Sequence, residues 1–209
     1  MTFTIGRIKI NLHFLFFIML AYMFSADAGR LYLTALFYAV LHECGHITLL
    51  LCRYGGVISV TVGLSGMRLD YADETRLSLS DDAVIAFSGP CVNAVLAVLF
   101  AVVHSAVPDD EFVMTSLALN TGLAVFNLMP VIPLDGGRFL YCILCRLLDE
   151  SKAYRIVTLS GAVCIAVCLA FCVVSHFKMQ LTAVTVYITT MYIYGLIKSR
   201  GCNKYSNDV

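Results

Sequence analysis

The stretch that decides the fold is an apolar run with three polar side chains near its centre. Residues 31–52 read LYLTALFYAVLHECGHITLLLC, and within this run Glu43 stands between His42 and His46. The run is long enough to cross a bilayer as a helix, because a crossing needs about 20 apolar residues. A carboxylate and two imidazoles are costly at such depth, so they indicate a functional site. The alternative is a polar cluster that only packs helices together.

The composition of the whole chain agrees with a membrane protein. Of its 209 residues, 60% are hydrophobic and 13% are charged, whereas soluble domains carry about 25% charged residues. This excludes a soluble globular domain and a disordered chain. The 14 basic and 14 acidic residues balance, so no positive field indicates a nucleic-acid partner. We expect the lipid bilayer to surround the protein, and no nucleic acid to bind it.

Six apolar runs predict six transmembrane helices in an all-α polytopic membrane protein. They lie at about 12–26, 31–52, 83–106, 112–131, 153–174 and 181–197. Residues 54–80 alternate between polar and apolar and predict a β-hairpin at the membrane surface, and residues 2–11 predict a short strand. We expect one domain over residues 1–200 and a short cytoplasmic tail over 201–209.

The first run has a second interpretation as a signal peptide. Arg7 and Lys9 precede it, and Ala26-Asp27-Ala28 resembles a cleavage site. The next run follows so closely that a pair of membrane helices is the interpretation we adopt.

The basic residues orient the six spans. Twelve of the 14 Lys and Arg residues fall on one side, and only Arg30 and Lys178 fall on the other. The positive-inside rule then places both termini in the cytoplasm of a multi-pass protein of the cell membrane. His46 and His42 stand 7 and 11 residues from the inner end of their span at Arg53. That spacing corresponds to a depth of roughly 10–17 Å in a helix.

The His-Glu-x-x-His spacing is suited to a metal-dependent hydrolase. His42 and His46 are four residues apart, so on a helix both imidazoles lie on one face and can bind one metal ion. Glu43 lies about 100° around the helix, within reach of a metal-bound water.

Asp135 is the best candidate for a third ligand. Residues 127–138 read NLMPVIPLDGGR; the two prolines break the fourth predicted helix, and the two glycines permit unusual backbone angles beside the carboxylate. The fourth span runs in the same direction as the second, so it delivers Asp135 to the same side as the histidines. Taken alone, this segment is also compatible with an ordinary cytoplasmic turn.

Asn93 is a third polar feature at membrane depth. It ends the stretch SGPCVN at residues 88–93 and stands 11 residues after Asp82, at the depth of His42. An amide at this position can bind a substrate carbonyl or oxyanion. It can equally make a hydrogen bond between helices beside a proline.

Three motifs resemble those of the site-2 protease family of intramembrane zinc metalloproteases. In chain order they are His42-Glu43-x-Gly45-His46, Gly89-Pro90-x-x-Asn93 and Asn127-x-x-Pro130-x-x-Pro133-Leu-Asp135-Gly-Gly. The resemblance implies one zinc per chain on His42, His46 and Asp135, with Glu43 as the catalytic base. We assign Asn93 and Asn127 to substrate binding.

Within that family the chain is similar to the bacterial sporulation branch, which processes a sigma-factor precursor. The shared features are the short N-terminal strand and the six spans. That branch usually adds a C-terminal nucleotide-sensing CBS domain, and this chain ends at Val209. Regulation by ATP is therefore not implied.

The resemblance implies hydrolysis of membrane-tethered or membrane-proximal regulatory proteins, with membrane regulatory proteins as further partners. An extended substrate would add as a strand to the edge of the hairpin at residues 57–71. One alternative is a multispan metalloprotease that cuts in the cytosol, but no glutamate after His46 has the spacing of its third ligand. Another is a non-proteolytic metal transporter or chaperone with a vestigial site, against which the intact Glu43 argues.

The charge distribution predicts where reporter fusions will be found. A reporter fused after Asp110 is expected outside the cell, because that loop carries three acidic residues and no Lys or Arg. A reporter fused after Val209 is expected in the cytoplasm. The reverse result at either site would contradict the shared depth of His42 and Asp135.

Overall fold

The computed structural model describes residues 2–6, 8–12, 18, 21, 24–25, 31–54, 58–63, 66–71, 78–174, 185–190, 192–194 and 196–197. Most of the first predicted span, the signal-peptide cleavage alternative, the start of the sixth span and the predicted tail at 201–209 lie outside these residues. The chain divides into two compact units, residues 1–125 and 126–209.

The first unit contains a four-stranded sheet in the order β1-β2-β3-β4. Its strands are β1 (Thr2–Ile5), β2 (Ile8–Leu12), β3 (Ile58–Gly63) and β4 (Gly66–Tyr71). β1 and β2 are antiparallel, as are β3 and β4, whereas β2 and β3 run parallel. The predicted hairpin is thus confirmed, and it is half of a larger sheet.

The N-terminal segment differs from the single strand that the alternation predicted. It forms two strands that turn at Gly6, whose φ is 57°. This left-handed conformation is strained for residues with a Cβ and is open to glycine. The alternating pattern continues on both sides of the turn, which is why the sequence alone suggested one strand.

The first unit also contains two long helices. They are α1 (Leu31–Tyr54) and α2 (Leu79–Ala106). Leu50, Val60 and Ile85 are buried together, one from each of α1, β3 and α2. This cluster attaches the sheet to the ends of both helices, beside an ion pair of 3.3 Å between Arg53 and Asp81.

A third helix, α3 (Glu111–Asn127), runs from the first unit into the second. It ends three residues before Pro130, so the prediction that the prolines interrupt this helix is confirmed. The second unit continues with α4 (Asp135–Leu147) and α5 (Glu150–Val174), and residues 185–190 are again helical. Val131, Ile165 and Ile188 form its buried core.

The helix α4 is an addition to the predicted elements. Its sequence mixes apolar residues with Arg138 and Arg146. The two charges interrupt the apolar residues, so this helix contains no long apolar run of the kind that predicts a span. The sequence suggested unusual backbone angles at its two glycines, and the structure does not show them. Among the described residues, Gly6 alone has a positive φ. Gly136 and Gly137 instead let the backbone of residues 128–132 approach the first turn of α4, because a Cβ at either position would collide with it.

Three helices among the described residues are long and apolar enough to cross a membrane. They are Leu31–Arg53, Leu79–Ala106 and Glu150–Val174, which match the second, third and fifth predicted spans. α3 has 17 residues and is shorter than a full crossing of about 20. A mostly helical membrane protein with a small sheet is therefore confirmed, and the count of six spans stays a prediction.

Candidate metal centre

The centre of the first unit holds two buried histidines on one helix. His42 and His46 lie one turn apart on α1, and their side chains are 5% and 6% exposed. Their Nε2 atoms are 3.2 Å apart. The rings stand nearly perpendicular, with their centroids 4.9 Å apart. The i, i+4 spacing thus brings the two nitrogens together as the sequence predicted.

A main-chain carbonyl on α2 fixes the protonation of His46. The Nδ1 of His46 donates to the carbonyl oxygen of Ile85 at 2.7 Å. A carbonyl oxygen only accepts, so in the neutral ring the proton sits on Nδ1 and the Nε2 carries none.

His42 is held in the same way by a side chain. Its Nδ1 donates to Asn93 Oδ1 at 2.6 Å, and Asn93 Nδ2 donates to Asn120 Oδ1 at 3.0 Å. Asn93 is fully buried. Metal-binding histidines usually donate the second ring nitrogen to such an oxygen, which fixes the tautomer and the ring orientation.

The two Nε2 atoms therefore face each other with their lone pairs. Such a pair cannot form a hydrogen bond between neutral rings, and a cation that both lone pairs contact removes the repulsion. Two nitrogens in a tetrahedral zinc site with bonds of 2.0–2.1 Å lie about 3.3 Å apart. The observed 3.2 Å fits this geometry.

Gly89 leaves room for an ion beside these nitrogens. A Cβ built on Gly89 would lie 2.6 Å from His42 Nε2 and would collide with His46 Nε2. Gly45 has a related role, because a Cβ there would lie 2.9 Å from the carbonyl oxygen of Ser88. The two glycines allow α1 and α2 to approach closely at the site.

Of the other predicted site residues, Glu43 lies in the first unit, and Asn127 and Asp135 lie in the second. Glu43 follows His42 on α1 and is half-buried. Asn127 ends α3 and Asp135 begins α4; both are half-buried and belong to the second unit. A carboxylate in the first turn of a helix is favoured by the positive end of the helix dipole. The roles of Asn93 and Asn127 in substrate binding and of Asp135 in metal binding stay predictions.

Asn120 is a residue of the site that the sequence reading missed. It is fully buried on α3, within the fourth predicted span. The argument that singled out Glu43, a polar side chain inside an apolar run, applies equally to this position. The signal was present, and it was not used because Asn120 is uncharged and belongs to none of the three motifs.

Comparisons with known proteins find relatives that are named as zinc metalloproteases. The chain is 32% identical over 127 residues to a Synechocystis protein provisionally named a zinc metalloprotease, covering 58% of this chain and 33% of that protein. It is 23% identical over 183 residues to stage IV sporulation protein FB of Bacillus subtilis, covering 87% and 63%. It is 27% identical over 165 residues to a zinc metalloprotease of Methanocaldococcus jannaschii, covering 74% and 48%. The chain thus covers only 33–63% of the lengths of these three relatives. No family model matches it.

A solved structure shows the same fold. The site-2 protease from Methanocaldococcus jannaschii superposes with a TM-score of 0.66 at 22% identity, over 93% of this chain and 94% of that one. Together these similarities confirm the resemblance to site-2 proteases.

The substitution Gly89→Ala is expected to abolish metal binding. Its methyl group would occupy the space beside both Nε2 atoms, so zinc measured in the purified protein should fall to a trace of the wild-type content. Gly122→Ala is the matched control, because a Cβ there meets nothing within 4 Å. Undiminished zinc in Gly89→Ala would show that the metal lies elsewhere.

Proposed function

We propose that the chain is an intramembrane zinc metalloprotease of the site-2 type. Its substrates would be membrane-tethered or membrane-proximal regulatory proteins. The observation that carries this proposal is the pair of buried imidazoles on an apolar helix, with their Nε2 atoms 3.2 Å apart and Glu43 beside them. The names of the relatives, two of them zinc metalloproteases, support it.

The proposed metal ligands are His42, His46 and Asp135, with one zinc per chain. Two imidazoles and one carboxylate are donor types that can hold a metal ion, and they leave a fourth position of zinc open to water or substrate. Zinc, when bound, supplies a Lewis acid that polarises a carbonyl and makes a water molecule more acidic.

The proposed base is Glu43. Its carboxylate takes the proton from the attacking water and then passes it to the nitrogen of the leaving amine. The carboxylate is half-buried on an apolar helix, an environment that weakens competition from bulk water. Asn127 would bind the substrate backbone. Asn93, proposed to do so with it, would have only the second hydrogen of its amide for this role, because its Oδ1 and the first hydrogen are bonded to His42 and Asn120.

We further propose that the chain crosses the cell membrane six times and that both termini are cytoplasmic. The single domain would cover residues 1–200, with residues 201–209 as a tail. The supporting observations are the three apolar helices of sufficient length and the placement of 12 of 14 basic residues on one predicted side.

The sheet offers a place for the substrate. A substrate helix must unwind before its peptide bonds can be attacked, and its freed backbone groups then need partners. β4 is the last strand of the described sheet, so an extended substrate can pair with its outer edge. The similarity to a sporulation protein makes a sigma-factor precursor the first substrate to test.

Replacing Glu43 by Gln tests the enzyme directly. The variant should retain about one zinc per chain, because Glu43 is not a proposed ligand. Its cleavage of a co-expressed membrane-associated precursor should fall by about 10²–10⁴-fold, the usual contribution of a general base. Cleavage is measured by the appearance of the shortened product.

Glu111→Gln is the matched control, since Glu111 is exposed at the start of α3. A Glu43→Gln protein that cleaves as well as wild type would contradict the assignment of the base. Metal flux without any cleavage in the wild type would support a transporter instead.

Replacing Asp135 by Asn tests the third ligand. The amide keeps the shape of the side chain and removes its charge, so zinc affinity should fall and cleavage should nearly disappear while the protein still accumulates in the membrane. Asp149→Asn is the control, because Asp149 is exposed and its ion pair with Lys152 is of a kind that contributes little. Full zinc and full cleavage in Asp135→Asn would require another third ligand.

A further inference from the structure

A chain of hydrogen bonds runs from α3 through α2 to the ring of His42 on α1. Asn120 Nδ2 donates to the main-chain oxygen of Ser116 at 2.8 Å. Asn93 Nδ2 donates to Asn120 Oδ1 at 3.0 Å, and His42 Nδ1 donates to Asn93 Oδ1 at 2.6 Å. Ser116, Asn120 and Asn93 are fully buried, so bulk water does not compete for these bonds.

Which group donates and which accepts in this series of hydrogen bonds is set at the end farthest from His42, by the main-chain oxygen of Ser116. A carboxamide turned by 180° exchanges its oxygen and nitrogen, and a neutral imidazole carries its proton on either nitrogen. The main-chain oxygen of Ser116 has no proton to give. It therefore holds the NH₂ group of Asn120 toward itself and leaves Asn120 Oδ1 facing Asn93.

The orientation of Asn120 in turn determines which nitrogen of His42 carries the ring proton. Because Asn120 presents an oxygen, Asn93 must present its NH₂ group to Asn120 and its Oδ1 to His42. The ring proton of His42 is thereby kept on Nδ1, and Nε2 carries no proton. With the amide of Asn93 reversed, an NH₂ group would face Nδ1, the ring proton would move to Nε2, and that nitrogen could not bind a metal.

His46 reaches the same tautomer in one step, from the main-chain oxygen of Ile85. Both rings are thus set by a main-chain carbonyl. For His42 this carbonyl is that of Ser116, and the side chains of Asn120 and Asn93 lie between it and the ring.

We propose that Asn120 is a positioning residue that fixes the tautomer of His42 through Asn93 and so sets the metal affinity of the site. It acts two hydrogen bonds away from the ring. The inference rests on the proposed function only in its premise that His42 binds the metal through Nε2.

The test measures metal binding by the full chain in detergent, without any substrate. Asn120→Leu keeps a similar volume and removes both the donor and the acceptor. Zinc affinity, from competition with a chelator, should fall about five- to tenfold, the effect of losing one orienting hydrogen bond. The visible absorption bands of the Co²⁺-substituted protein, which report the ligand geometry, should weaken or shift.

Two further variants separate orientation from packing. Asn120→Asp loses the donor to Ser116 O but presents an oxygen to Asn93 Nδ2 whichever way it turns, so its zinc affinity should fall less than that of Asn120→Leu. In Asn93→Asp with Asn120→Leu, a carboxylate accepts from His42 Nδ1 whichever way it turns. The double variant should therefore regain the zinc affinity that Asn120→Leu alone has lost.

Asn11→Leu is the matched control, because it removes an amide hydrogen bond, to Ser59 in the sheet, away from the site. The proposal is overturned if Asn120→Leu binds zinc and Co²⁺ like wild type, or if the double variant shows no recovery. Should Asn120→Leu fail to accumulate, Asn120→Ala replaces it, because it also removes both the donor and the acceptor; a loss of zinc affinity in Asn120→Asp as large as that in Asn120→Ala then overturns the proposal. If the zinc results hold but the wild type cleaves no precursor, this inference stands and the proposed function fails.

Discussion

Two imidazole nitrogens that face each other at 3.2 Å inside an apolar helix are the constraint on which the rest of the first unit depends. Neutral rings have no reason to adopt this arrangement for its own sake. It requires an acceptor behind each ring, and the acceptors come from a second helix, Ile85 O and Asn93 Oδ1 on α2. It also requires that α2 lie close to α1. Gly45 and Gly89 provide that closeness by having no side chain at the contact.

The sheet extends the same constraint to the ends of the helices. Leu50, Val60 and Ile85 pack together, so the residue whose carbonyl holds His46 is also a residue of the core that carries β3. Ile85 thus contributes its side chain to the sheet contact and its main chain to the metal site.

Much of the site could be predicted because helix geometry is local. The four-residue spacing of His42 and His46 fixes their shared face in any helix, and the cost of polar groups in a membrane marks Glu43 and Asn93. What depended on neighbours could not be predicted. The sequence does not show that Ile85 O lies behind His46 or that Asn120 lies behind Asn93, because these contacts join different helices. Glycines were also ambiguous, since Gly136 and Gly137 serve close packing in a helix where the sequence suggested an irregular turn.

The parallel pairing of β2 with β3 has a consequence for the order of events during synthesis. Parallel strands cannot be joined by a tight turn and need a long crossover, which here includes all of α1. The hairpin of β1 and β2 is synthesised before β3, with 45 residues between β2 and β3, so one edge of β2 is unpaired until β3 has been made. Unpaired strand edges favour association between chains. Nascent chains that stall before residue 58 thus expose this edge of β2, and a factor that shields residues 8–12 until β3 has been made would protect them from association.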